Sequence, residues 1–207
     1  MPSGLRSEET LRYIEDAAGL LRHLFREVIQ EWPVSRRSRD ALQRDIYCPR
    51  IDIVAGPFNI DTHIENNVVE IQHAYENRRQ FFAALRENGI DLNPYLDADT
   101  IANPNVSINE NARCLLAIEV EHASPSEKHR LGSIVNAASI GFVGVVVGWD
   151  DQETRSIARI QSYLDFLSVH KKITGRFHDA IIIERARFIE LLEEARTNLG
   201  DNARDSS

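Results

Sequence analysis

Sulfur is scarce in this sequence: two cysteines, Cys48 and Cys114, and one methionine among 207 residues. With no C-x-x-C spacing and no paired histidine pattern, both cysteines read as buried thiols, not as metal ligands or a disulfide framework. A domain of this length buries roughly two thirds of its unfolded surface without such staples. Long hydrophobic runs are missing too. None approaches the roughly 18 to 20 residues of a membrane span, so no membrane partner is expected. The opening MPSGLRSEET has no apolar core of a signal peptide, and a reducing cytoplasm is the expected address. Basic charge is also short, with 24 Lys and Arg against 32 Asp and Glu, a balance of −8. That removes the usual footprint of non-specific nucleic-acid binding. G-x-G-x-x-G after a strand, G-x-x-x-x-G-K-[ST], G-x-S-x-G and H-E-x-x-H are all absent. Dinucleotide sites, P-loops, serine hydrolase elbows and zincins are set aside accordingly.

What is present is an ordinary globular composition, 43% hydrophobic and 27% charged, read as one domain over 1–207. Leu11, Ile14, Ala18, Leu21, Phe25, Val28 and Trp32 recur in steps of three and four, which predicts a first helix from Ser7, its N-cap, to Pro33. Arg50 to Phe58 (RIDIVAGPF) reads as a strand closed by a Gly-Pro turn. Val68, Ile71, Tyr75, Phe82 and Leu85 space a second long helix that ends near Gly89. The Asn-, Asp- and Pro-rich stretch after it marks loop, so about 61–111 is expected to be a helical insertion. That helix is expected to pack as an outlier or to build a homodimer contact through Tyr75 and Phe82.

From residue 113 onwards strands and helices alternate. Arg113–Glu121, Phe142–Trp149 and Asp179–Glu184 are strands, with helices near 126–140, 152–172 and after 185, and a disordered tail is expected at about 200–207. Phe142–Trp149 is apolar on both faces and should have neighbours on both sides. The class is α/β, a sheet covered by helices on both faces.

Chemistry gathers at the end of the strand Arg113–Glu121. Residues two apart share a face of a strand, so Glu119 and Glu121 lie together at its C-terminal end, about 7 Å apart. Open α/β sheets commonly place ligands at that edge. Two such carboxylates repel unless a proton or a cation stands between them, and a hard divalent ion is one solution. Asp52, in the strand beginning at Arg50, adds a third acid. Lys128, His129 and Arg130 open the helix that follows Glu121. An ordinary reading stays open at each position: Asp52 paired with a nearby arginine, Glu119 and Glu121 salt-bridged to Lys128 and Arg130, and His122 and His129 as surface residues. Between Arg36 and Arg50 five arginines (Arg36, Arg37, Arg39, Arg44, Arg50) stand against Asp40 and Asp45, either a solvated loop or a phosphate-binding segment.

Pro49 and Asp52, then an apolar strand ending Glu119-x-Glu121, then a helix and another apolar strand, resemble the PD-(D/E)XK nuclease superfamily. The resemblance covers order and spacing from Ser7 to about Glu184. It implies a restriction-endonuclease-like fold: an αβββαβ core whose central mixed sheet is flanked by helices, here with a helical insertion. It also implies a Mg²⁺- or Mn²⁺-dependent DNA endonuclease, restriction enzymes being one such type. Asp52, Glu119 and Glu121 would hold the metal, Lys128 would stand in for the motif lysine, and the arginine segment would track DNA. Two departures accompany it. Asp52 and Glu119 are 67 residues apart (119 − 52), and Glu121 occupies the usual lysine position. A non-catalytic binding or assembly subunit of the same fold, or a small-molecule-binding α/β domain, are the alternative readings.

Overall fold

The computed structural model describes residues 6–33, 50–58, 64–90, 109, 112–122, 126–172 and 180–204. Helix α1 (Glu8–Leu24) is capped by Ser7, whose hydroxyl accepts from the Thr10 N–H at 3.2 Å. Glu8 and Glu9 sit in its first turn and Arg22 and His23 in its last, signs that suit the helix dipole. The helix is shorter than its apolar stripe predicts. Val28–Pro33 is a strand, β1, antiparallel to β2 (Arg50–Phe58). A step of four, as from Val28 to Trp32, fits a helical face and also two strand repeats. Pairing with β2 decides between them: Trp32 becomes buried, with its ring 5.4 Å from that of Phe58.

The second long helix is likewise two helices, α2 (Ile64–Glu76) and α3 (Arg79–Asn88). The turn between them is pinned by Arg78, whose Nε donates to the Leu24 carbonyl at 2.5 Å. Breaking there stacks Tyr75 on Phe82 at 4.9 Å between ring centres. Ile71, Tyr75, Phe82 and Leu85 belong to the main core, with Leu21 of α1 and Ile118 of the central sheet. The expected outlying helix is therefore part of the fold, and the Tyr75 and Phe82 rings are already covered within the chain.

The remaining elements are β3 (Cys114–Glu121), α4 (Glu127–Ile140), β4 (Gly141–Gly148), α5 (Asp151–Val169), β5 (Ile181–Glu184) and α6 (Arg185–Arg204). The last helix runs past Gly200 into the stretch read as tail. One five-stranded sheet has the order β1-β2-β3-β4-β5. Its first three strands are antiparallel neighbours; β3, β4 and β5 run parallel. The class is α/β with a mixed open sheet, and β4 has a neighbour on each side as its composition predicts.

Each face of the sheet carries its own core. On one side Val143, Val145 and Val147 meet residues of α1, α2, α3 and α6; on the other Val146 and Ile182 meet α4 and α5. Gly144 lets α4 lie flat on β4, since a Cβ there would stand 2.6 Å from the Ala137 carbonyl carbon. Cys114 is buried, as its sequence context predicts; Cys48 lies outside the described residues. Among the described residues no helix is long and apolar enough to cross a membrane.

Candidate acid site at the sheet edge

Strand register brings the acids together. Ile53 on β2 is opposite Ile118 on β3, which sets Asp52 beside Glu119. On β1, Gln30 is opposite Ile53 and Trp32 opposite Ile51, so Glu31 flanks Asp52 from the other side. Glu31 has a φ of 49°, a left-handed conformation that side chains other than glycine's adopt uncommonly and that often marks a functional position. Ile53 and Ile118 turn into the main core. The alternate residues Asp52 and Glu119 turn to the face that α4 covers. Both are closed off from solvent, at 1% and 5% exposure.

Two buried carboxylates side by side are costly unless each is paired or hydrogen-bonded. Asp52 is held from two sides at once: its Oδ2 accepts from the Val120 N–H at 2.8 Å, and its Oδ1 from the guanidinium of Arg6. Arg6 also donates to Glu31 at 2.6 Å. Glu119 accepts from the Asn136 amide at 3.1 Å, and Glu121, half-buried, accepts from the Ser133 hydroxyl. Ser133 and Asn136 lie three apart on α4, the spacing that puts both on one helix face.

Electrostatics follow from this packing. Burial pushes the Glu119 carboxyl well above its usual range, and the charge of Asp52 pushes it further; the Asn136 hydrogen bond and Arg6 pull the other way. Burial also raises Asp52, against the opposing charge of Arg6 and the Val120 N–H. Burial alone would lower Arg6, but Asp52, and then Glu31 and Glu119, hold its guanidinium above the ordinary value.

The ordinary readings fare unequally. Asp52 does pair with an arginine, which among the described residues is Arg6. Glu119 and Glu121 are held by neutral donors. Arg130 forms its hydrogen-bonded fork with Glu153 of α5, at 2.7 and 2.9 Å, while Glu121 adds a longer-range attraction, and Lys128 is exposed on the first turn of α4. His122 stacks on Trp149 with ring centres 3.9 Å apart, and its Nδ1 lies 2.6 Å from the Thr10 hydroxyl. Arg185 covers Trp149 at 4.0 Å. This cluster ties the first turn of α1 to the ends of β3 and β4, and so positions Arg6. Arg50 is exposed at the start of β2, and Arg36, Arg37, Arg39 and Arg44 lie outside the described residues.

Three contributors escape sequence reading. Asn136 and Ser133 left a weak signal, their helical spacing in the helix after Glu-x-Glu. Arg6 left none, because its partner is 46 residues away.

The donor set can be tested against the implied metal. Among the described residues no three His, Cys, Asp or Glu side chains are grouped to hold an ion. Mg²⁺ is commonly held by one or two carboxylates and completes its shell with water. Asp52 and Glu119 supply two adjacent hard-oxygen ligands whose ionisation is disfavoured without a cation, and they fit that requirement. No family model, curated protein or solved structure matches this chain.

Proposed function

We propose that this chain is a divalent-metal-dependent DNA endonuclease of restriction-endonuclease-like fold. The observation that carries the reading is the juxtaposition of buried Asp52 and Glu119 on adjacent antiparallel strands. The order of elements supports it: α1, then β1 and β2, then β3 after the two helices α2 and α3, followed by α4 and the parallel strand β4, an order compatible with an αβββαβ core that carries a helical insertion. Asp52 lies on β2 and Glu119 and Glu121 on β3.

Asp52 and Glu119 would hold Mg²⁺ or Mn²⁺. When bound, such an ion polarises a phosphate and lowers the pKa of water. The chain's own groups supply the rest. Asn136 keeps the Glu119 carboxylate oriented, and the Val120 N–H fixes that of Asp52. Glu121, aimed by Ser133, orients the attacking water and takes its proton as the water oxygen bonds to phosphorus. The bond from phosphorus to the leaving sugar oxygen breaks, and that oxygen takes a proton from solvent. Lys128, exposed near the same edge, offsets the charge that builds on the phosphate oxygens. Arg50 and the arginines of the 36–44 segment bind flanking phosphates.

Two observations favour a second reading, a DNA-binding or assembly subunit that does not cleave. A guanidinium already lies on Asp52, and glutamate stands at the motif's lysine position. Incubation of the purified protein with plasmid DNA and Mg²⁺ or Mn²⁺ separates the two. The nuclease reading expects metal-dependent nicking or linearisation that Asp52→Ala abolishes. Intact plasmid that is nonetheless bound would favour the second.

A further inference from the structure

We propose that Arg6 is a displaceable counter-cation, which a divalent metal must evict from Asp52 in order to bind. The inference rests on the metal-site reading above and adds a step to it. Asp52 has two oxygens. Oδ2 is committed to the N–H of Val120, in β3 at the interior of the sheet. Oδ1 is the oxygen left for a metal, and Arg6 holds it. A guanidinium and a divalent ion on one carboxylate oxygen repel each other, so the two occupancies compete.

The structure gives Arg6 a way out. Its side chain is 33% exposed, against 1% for Asp52, so it leaves into water whereas the carboxylate cannot. Arg6 precedes the N-cap Ser7, and the first turn of α1 is held without it: Ser7 accepts from Thr10, and the Leu11 N–H donates to the Ser7 carbonyl at 3.1 Å. The departure therefore breaks no hydrogen bond of the helix. Glu31, at 47% side-chain exposure, is a second partner that keeps the arginine tethered beside the site after it releases Asp52.

Charge supplies the driving force. Glu31, Asp52 and Glu119 place three carboxylates around one guanidinium. A single positive charge leaves the row under-neutralised, and a divalent ion corrects this further. Without metal, Arg6 keeps the buried acids from standing unpaired; with metal it is redundant. Apparent metal affinity is thereby reduced by the population of the closed state, as for any site whose competent form must first be released.

The test is a calorimetric Mn²⁺ titration of wild type, Arg6→Gln and Asp52→Asn, together with NMR of the Arg6 side-chain Nε–H in wild type as Mg²⁺ is added. Arg6→Gln should bind Mn²⁺ at least tenfold more tightly than wild type, and Asp52→Asn should lose binding. In wild type the Arg6 Nε–H signal should shift or broaden into solvent exchange with Mg²⁺. That readout needs no variant to fold. Binding to Arg6→Gln but not to wild type would support displacement in its strongest form. Equal or weaker affinity in Arg6→Gln, or an Arg6 signal that ignores bound metal, overturns the displacement and leaves the metal site standing. No binding to any of the proteins overturns both.

Discussion

Two arginines meet carboxylates in this molecule, and the contrast between them separates structure from site. Arg130 reaches Glu153 through a fork of two hydrogen bonds, 2.7 and 2.9 Å long. That pair straps α4 to α5, and the other acids that raise Arg130, Glu121 and Glu127, are half-buried and exposed respectively. Arg6 instead bridges Asp52 and Glu31, with Glu119 close enough to raise its affinity for the proton. Here one cation serves three anions, two of them buried. In a forked pair of the first kind the strongest attraction is met by one partner. A buried row with negative charge in excess is what a cation, or a proton, completes.

The largest expected effect comes from disturbing what both regions share, the seat of α4 on β4. In Gly144→Ala the new methyl must push against the Ala137 backbone, and overpacking of this kind costs about 1–3 kcal/mol. Urea denaturation should show that loss. Because α4 carries Ser133 and Asn136, the metal response should fall with it, which would couple the two regions.

Arg130→Ala should separate them. Loss of hydrogen bonds to a charged, mostly buried Glu153 is expected to cost about 1.5 kcal/mol, read by the same denaturation. The metal-induced rise in melting temperature should stay as in wild type. A variant that also lost the metal response would break the distinction between strap and site.

A pH series sharpens it further. The Glu119 carboxyl is raised in the folded protein above its usual 4.5, so across the interval between the two values the native state binds more protons than the unfolded chain. Stability contributed by that proton is present at low pH and is lost as pH rises from about 4.5 through the folded value. Without metal, Tm against pH should therefore fall more steeply for wild type than for Glu119→Gln, and their curves should converge at acid pH. An unchanged slope would mean that Glu119 does not titrate as its burial requires.

The smallest effect belongs to Lys128, which is exposed. Lys128→Ala should leave stability within about 0.5 kcal/mol and slow DNA cleavage. Unaltered kinetics would remove it from the proposed chemistry.

Much of this was legible because β2, β3 and β4 are apolar runs bounded by turn signals, and because alternation puts Glu119 and Glu121 on one face. Register, and so the pairing of Asp52 with Glu119, follows once β2 and β3 are neighbours. What stayed hidden has specific causes. The step of four from Val28 to Trp32 suits a helix and a strand equally, so β1 was concealed within the helical stripe. The break at Arg78 depends on a hydrogen bond to Leu24, 54 residues earlier. Arg6 reaches the acids only after α1 has docked on the sheet, and no local pattern encodes that contact.

The central claim is that Asp52 and Glu119 form a cation site, and a thermal melt of wild type and Glu119→Gln with and without Mg²⁺ or Mn²⁺ tests it most directly. Glutamine keeps the oxygen that accepts from Asn136 and removes one repelling charge, so the metal-free variant should melt no lower than wild type at neutral pH. Wild type should gain about 2.7 kcal/mol at a hundredfold excess of metal over Kd, and that gain should shrink sharply in the variant. A variant that melts below wild type, with no metal response in either protein, would contradict the claim and make the acid row an ordinary buried salt-bridge network.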